Sequence, residues 1–141
     1  MNAVKMKAKE LKTLKASPGK MKAIISTKYG NPEVLQLQEV DKPLPKENEV
    51  LVSVHASSAT AADVMMRTGK PFIGRLFTGL LKPKNPIPGT GFAGTVETVG
   101  KNVKLFKKVD KVFGETTLGF STNAEFVAIA TNGVILNMPD N

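Results

Sequence analysis

The glycine-rich run Gly89-Thr90-Gly91-Phe92-Ala93-Gly94 is the stretch of this 141-residue chain that looks most like a binding motif. Its G-x-G-x-x-G spacing would let backbone approach a dinucleotide pyrophosphate at a helix N-terminus, provided a strand precedes it and a helix follows. Neither flank fits. Asn85-Pro86-Ile87-Pro88 cannot be a central strand, because proline offers no N–H to a ladder, and Thr95-Val96-Glu97-Thr98-Val99 favours strand over helix. The run reads as a bend entering a strand. His55 is the single histidine and there is no cysteine, so thiolate chemistry, disulfides and the usual Cys/His zinc sites are excluded. With no acidic, Ser or Cys partner in an evident motif, His55 reads as a hydrogen-bonded structural residue. Asp63 stands among small residues, where it could orient a polar group in a cleft but more readily caps a helix start. Met65 and Met66 read as core filler rather than a ligand surface.

The elements that would position these residues follow from periodicity. Val4, Ala8, Leu11 and Leu14 fall at approximate helical spacing, too short a run to hold in water unless it packs on something, and Ser17-Pro18-Gly19 breaks it. From Met21 onward the period alternates and β-branched residues become frequent. A basic, disordered extension is therefore expected over residues 1–20 and a folded domain over residues 21–141. Residues 23–29 read as a first strand, and Gly30-Asn31-Pro32 turns it into an alternation carrying Leu35 and Leu37, a hairpin. Residues 49–56 place Val50, Val52, Val54 and Ala56 on one strand face, leaving Leu51, Ser53 and His55 on the other. A short helix is expected over 59–68, stopped by Gly69-Lys70-Pro71. Residues 71–91, rich in Pro and Gly, suit a long loop with at most one helical turn near 76–81. Further strands are expected at 92–99, 111–113, 124–130 and 134–136. The pattern is mainly β with short helices, a small barrel or sandwich.

A chain of this length with 41% hydrophobic residues has room for one core. No apolar run approaches the roughly 20 residues of a membrane helix, and no start of the chain reads as a cleavable signal. A cytoplasmic protein with no membrane partner is expected. The net charge of +8 is concentrated in residues 1–20, where Lys5, Lys7, Lys9, Lys12, Lys15 and Lys20 face only Glu10. The body has one Tyr and no Trp to interleave with basic groups, so no nucleic-acid partner is expected.

The order of segments carries a resemblance. Met21-Lys22-Ala23-Ile24, Gly30-Asn31-Pro32-Glu33-Val34-Leu35 and the strand at 49–56 are followed by Asp63 with Arg67-Thr68-Gly69. Then come Pro86 to Gly94, Val99-Gly100, the run from Phe106 to Gly114, and Ala124-Glu125-Phe126-Val127. Together, residues 21–141 resemble the amino-terminal, GroES-like substrate domain of the zinc-independent medium-chain dehydrogenases/reductases, the quinone oxidoreductase branch especially.

The resemblance implies a GroES-like, partly open β-barrel. Zinc-dependent relatives carry a Cys before the short helix and Gly-His-Glu where Gly89-Thr90-Gly91 stands, so the resemblance selects the zinc-free branch. It implies hydride transfer from NADPH to a quinone, an enone or a similar activated carbonyl held in a cleft between two domains. Without a metal, hydrogen-bond donors must stabilise a developing oxyanion. It places Thr60 where quinone reductases often carry an Asn facing the nicotinamide, and Met65 where they often carry a Tyr. Asp63, Thr90 and Gly91 complete the expected substrate and cofactor cleft, and no catalytic residue is assigned. Val109 replaces the Gly usual before Asp110, and a β-branched residue tolerates positive φ poorly, so that turn is expected to differ. Residues 134–139 correspond to the last strand before the family's Rossmann domain. The chain is thus expected to be a fragment, inactive without that domain, of an enzyme whose full-length form could be a homodimer. The alternative is a non-enzymatic GroES-like interaction module with a basic docking tail.

Overall fold

The computed structural model describes residues 19–116 and 119–139. The expectation for the amino-terminal extension therefore lies outside the described residues, except for Gly19 and Lys20. Strands β1 (Lys20–Ile25) and β2 (Gln36–Asp41) form an antiparallel hairpin, in register from Lys20 opposite Asp41 to Ile25 opposite Gln36. A second sheet holds β3 (Glu49–Ser57), β4 (Gly91–Val99), β5 (Lys111–Glu115), β6 (Phe126–Ala130) and β7 (Val134–Asn137), in the order β6-β3-β4-β5-β7, every pair antiparallel. This sheet is strongly curled into a half-barrel, the GroES-like fold. Two short helices, α1 (Ala61–Thr68) and α2 (Arg75–Thr78), and 3-10 turns at Pro32–Val34 and Phe72–Gly74 complete the described elements.

Curling puts the alternating apolar residues of all five strands on one inner face. Val50, Val52, Phe92, Val96, Val112, Val127, Ile129 and Ile135 form one buried cluster, closed by Phe106 from the β4–β5 connection. Small and β-branched side chains suit the tight inner radius. Gly94 allows the closest approach of β3 and β4, since a Cβ there would run into the Ser53 carbonyl oxygen.

The structure departs from the sequence expectations at identifiable places. β1 ends at Ile25 rather than running to residue 29. Ser26 gives its N–H to the Pro86 carbonyl (2.7 Å) and its hydroxyl to that of Lys28 (2.9 Å), turning the chain out of the ladder. β6 opens at Phe126 rather than 124, because the two preceding residues belong to the other sheet. Ala124 bridges Ala23, and the Glu125 N–H donates to the Lys22 carbonyl (3.0 Å), so the hairpin is stitched to the barrel where the chain changes sheets. Lys42 strengthens that seam through Glu97 (2.6 Å) and the Phe126 ring (3.6 Å to its centre). β3 and β4 shift register twice, with Glu97 of β4 the extra residue beside Leu51 and Val52 and His55 of β3 the extra residue between Val54 and Ala56. Leu51 is buried alongside both neighbouring valines, while His55 lies exposed rather than in the structural role expected of it. Val109 adopts φ 71°, the left-handed conformation a β-branched residue was expected to avoid. The turn imposes it: the Val109 N–H donates to the Val96 carbonyl (2.8 Å), and the Asp110 carboxylate accepts the Lys107 N–H (2.9 Å).

Candidate functional site

The site is assembled from α1, the bend before β4, the end of β5 and the segment before β6. Thr60 ends the extended chain leaving β3 and stands at the N-cap of α1 (φ −122°, ψ 172°). One oxygen of Asp63 accepts the Thr60 N–H (2.7 Å) and the Thr60 hydroxyl (3.0 Å). This satisfies a helix-end donor that would otherwise be orphaned. The other oxygen reaches across 26 residues to the Gly89 N–H (3.0 Å). Asp63 thus caps the helix, as expected, and its second oxygen fixes the Gly89 bend against α1.

Gly89 sits at φ 99°, and a Cβ there would strike the Thr122 hydroxyl and the Asn123 backbone. That proximity reflects a zipper: Ser121, Thr122 and Asn123 donate N–H groups to the carbonyls of Ile87, Gly89 and Pro88. Phe120 (φ 52°) and Ser121 (φ 79°) are both left-handed at this point. Non-glycine residues in such conformations persist only where surrounding structure over-determines them, and they cluster at ligand sites. The Thr122 hydroxyl is buried without a partner among the described residues.

Between these elements opens a pocket of about 240 Å³. Ala62, Met65 and Met66 of α1 form one wall, Pro71, Gly74 and Thr78 a second, with Thr90, Glu115 and Phe120 opposite. Met65 and Met66 are therefore not core filler. No residue of α1 is buried, so the helix lies on the barrel rather than in it and its methionines face the pocket. Thr90 is buried and also lines the pocket, a hydroxyl-bearing residue in a largely apolar wall. Its carbonyl is held by the Thr116 N–H (2.8 Å).

Of the five residues expected in the cleft, Met65 and Thr90 line the pocket, and Asp63 ties their two elements together from behind. Thr60 sits at the helix end with its hydroxyl proton already given to Asp63. Gly91 opens β4, where a Cβ would run into the Ser58 hydroxyl. Sequence reasoning missed Lys70, Thr78, Glu115 and Phe120, none of which carries a local motif. It also missed the strut that holds the outer wall. The Tyr29 hydroxyl donates to the Gly79 carbonyl (2.5 Å), Arg67 to Gly30 (2.6 Å) and Arg75 to Gly69 (2.9 Å).

The described residues do not fit a dinucleotide's pyrophosphate. Gly91 and Gly94 are spent on close contacts with Ser58 and Ser53, and the motif continues into a strand with no helix N-terminus behind it. Among the described residues, no group of three or more His, Asp or Glu side chains is placed to hold a metal.

Comparison with known proteins accords with this architecture. The alcohol dehydrogenase GroES-like domain family matches residues 46–140. A quinone oxidoreductase of Sus scrofa is 40% identical over 122 residues, covering 85% of this chain and 34% of the relative. A chloroplastic NADPH-dependent alkenal/one oxidoreductase of Arabidopsis thaliana is 32% identical over 120 residues, 79% of this chain and 30% of the relative. The solved quinone oxidoreductase of Coxiella burnetii superposes with a TM-score of 0.72 at 30% identity, covering 84% of this chain and 37% of that one. The chain thus spans about a third of the length of the relatives it matches. It belongs to the alcohol dehydrogenase GroES-like domain family, within the medium-chain dehydrogenases/reductases of zinc-independent quinone oxidoreductase type.

Proposed function

We propose that this chain is the substrate-side domain of a cytoplasmic, zinc-independent, NADPH-dependent oxidoreductase that reduces a quinone, an enone or a similar activated carbonyl. The observation that carries the reading is the pocket between α1 and the Gly89–Thr90 bend, apolar on most of its wall and with Thr90 among its lining residues. Such a wall suits a flat, weakly polar acceptor whose one oxygen needs a donor. The names of the quinone and alkenal/one relatives point the same way.

Each residue then has a stated task. Met65, Met66 and Phe120 exclude water from the acceptor's ring or chain. Thr90 donates a hydrogen bond to its oxygen as negative charge develops there. Asp63 is a positioning residue, fixing the distance between α1 and Thr90. Thr60 is the weaker donor, its proton being engaged by Asp63. Because the glycine motif does not fit a pyrophosphate, these residues would contribute only one wall beside the cofactor's reactive end.

Calorimetric titration of the chain with NADPH should show no saturable binding, and micromolar affinity would place the cofactor in this domain and overturn the assignment. A chimera joining the chain to the remaining part of a quinone oxidoreductase relative should oxidise NADPH in the presence of a quinone. In it, Thr90→Val should lower kcat by about 100-fold, the scale of losing one oxyanion donor, and leave NADPH affinity unchanged. Unaltered kcat would remove Thr90 from the chemistry.

A further inference from the structure

Phe72, Ile73, Leu76, Phe77, Leu80 and Leu81 are each between 64% and 88% exposed. Single exposed apolar residues need no explanation, but six within ten positions form a patch of the kind that marks an interaction surface. The patch is held outward by its own anchoring. The Arg75 guanidinium lies 4.4 Å from the centres of both the Tyr29 and Phe72 rings, Arg75 Nε donates to the Gly69 carbonyl, and the Tyr29 hydroxyl fastens Gly79. The polar groups of the segment thus face the protein, while the apolar side chains stand away from it.

The charge around the patch selects its partner. Lys70, Lys82 and Lys84 flank it and are exposed, and no Asp or Glu occurs between Asp63 and Glu97. Glu115 lines the adjoining pocket. An apolar face of Phe, Leu and Ile bordered by cations is the pattern of elements that lie in a membrane interface, burying the face in the acyl boundary while the cations meet anionic headgroups.

We propose that residues 72–81 form a docking element for an anionic lipid bilayer surface. The expectation of no membrane partner rested on the lack of a long apolar run, and no described helix is long and apolar enough to cross a membrane. A surface-lying element requires neither. Because Pro71, Gly74 and Thr78 belong both to this segment's flank and to the pocket wall, docking sets the pocket beside the lipid boundary. On the oxidoreductase reading the rest of the enzyme meets the pocket from its open side, so the proposal requires that part to leave residues 72–81 uncovered.

The test uses the full chain with Lys5, Lys7, Lys9, Lys12 and Lys15 changed to Gln, so that the basic amino terminus cannot itself supply the binding. This protein should co-float with phosphatidylcholine vesicles containing about one third phosphatidylserine, and about tenfold less with phosphatidylcholine alone. Leu76→Ser with Phe77→Ser should reduce flotation about tenfold or more while leaving the thermal unfolding midpoint unchanged. Because the chain has no tryptophan, Phe77→Trp supplies a single reporter. Its emission should shift to the blue on anionic vesicles and be quenched by brominated acyl chains. The proposal is overturned if the neutralised chain does not float, if the Leu76/Phe77 variant floats like its parent, or if the reporter stays in water. It is equally overturned if the chain is a dimer that the Leu76/Phe77 changes dissociate, since the patch would then meet a second copy.

Discussion

The curled sheet and the segment from α1 to Leu81 are both rich in large apolar residues, yet they treat them in opposite ways. In the sheet, Val50, Val52, Val96 and Val112 are fully buried, and with Phe92 they make up most of the core. Neither α1, the 3-10 turn at Phe72–Gly74 nor α2 contains a single buried residue. Stability therefore resides in the strands, while the helical segment is held in place by hydrogen bonds accepted by Asp63 and donated by Tyr29, Arg67 and Arg75. The lesson is a division of labour: a barrel that folds on its own strands can carry an apolar, hydrogen-bonded segment whose surface is left for ligands or partners.

A matched pair of substitutions tests this division most severely. Phe92→Ala should cost about 3–5 kcal/mol, the usual range for emptying a core aromatic position. Phe77→Ala, at a site 74% exposed, should stay within about 0.5 kcal/mol. Urea titration of both proteins gives the comparison, and similar losses would mean that the helical segment packs into the core in solution. Asp63→Ala should fall between, at about 1–2 kcal/mol, because it removes a cap and leaves the Gly89 N–H without its acceptor. Hydrogen exchange should then quicken at Thr60 and Gly89 but not in β3 or β6, and uniform acceleration would deny that Asp63 acts as a local clamp.

The next effect has the opposite sign. Val109→Gly should stabilise the barrel by about 1 kcal/mol, because a β-branched side chain at φ 71° carries left-handed strain that glycine does not. A destabilised glycine variant would show that side-chain contacts at Val109 outweigh the backbone. The smallest effect concerns the hairpin, where Lys20 meets Asp41 at 2.6 Å with both side chains mostly exposed. The Asp41 hydrogen bond and charge raise the Lys20 pKa above the ordinary lysine value. Any stability this adds is present below that ordinary value and is lost as pH rises through the raised one. Solvent and salt screen such a pair, so Asp41→Asn should leave the unfolding midpoint at neutral pH unchanged, with no divergence from the parent at alkaline pH. A drop at neutral pH that disappears only at alkaline pH would show the pair to matter.

Much of this was legible in the amino-acid order. Alternation located β3, β4, β5 and β7 to within a few residues, and the flanks of Gly89 to Gly94 identified a bend into a strand. Both are local properties: a strand's period and a proline's missing N–H are written within a few residues of where they act. The family likewise follows from short segments in a fixed order. What sequence left open depended on parts of the chain far apart. Ser26 leaves β1 because Pro86 offers a carbonyl, and Ala124 and Glu125 leave β6 because Ala23 and Lys22 are beside them. Asp63 becomes a clamp because Gly89 lies within reach, and His55 is exposed because its end of β3 is. The same holds most plainly for residues 72–81. The sequence reads them as part of a Pro- and Gly-rich loop, and only the tertiary structure decides that their apolar side chains stay uncovered, because burial depends on what other surface is available to cover a side chain.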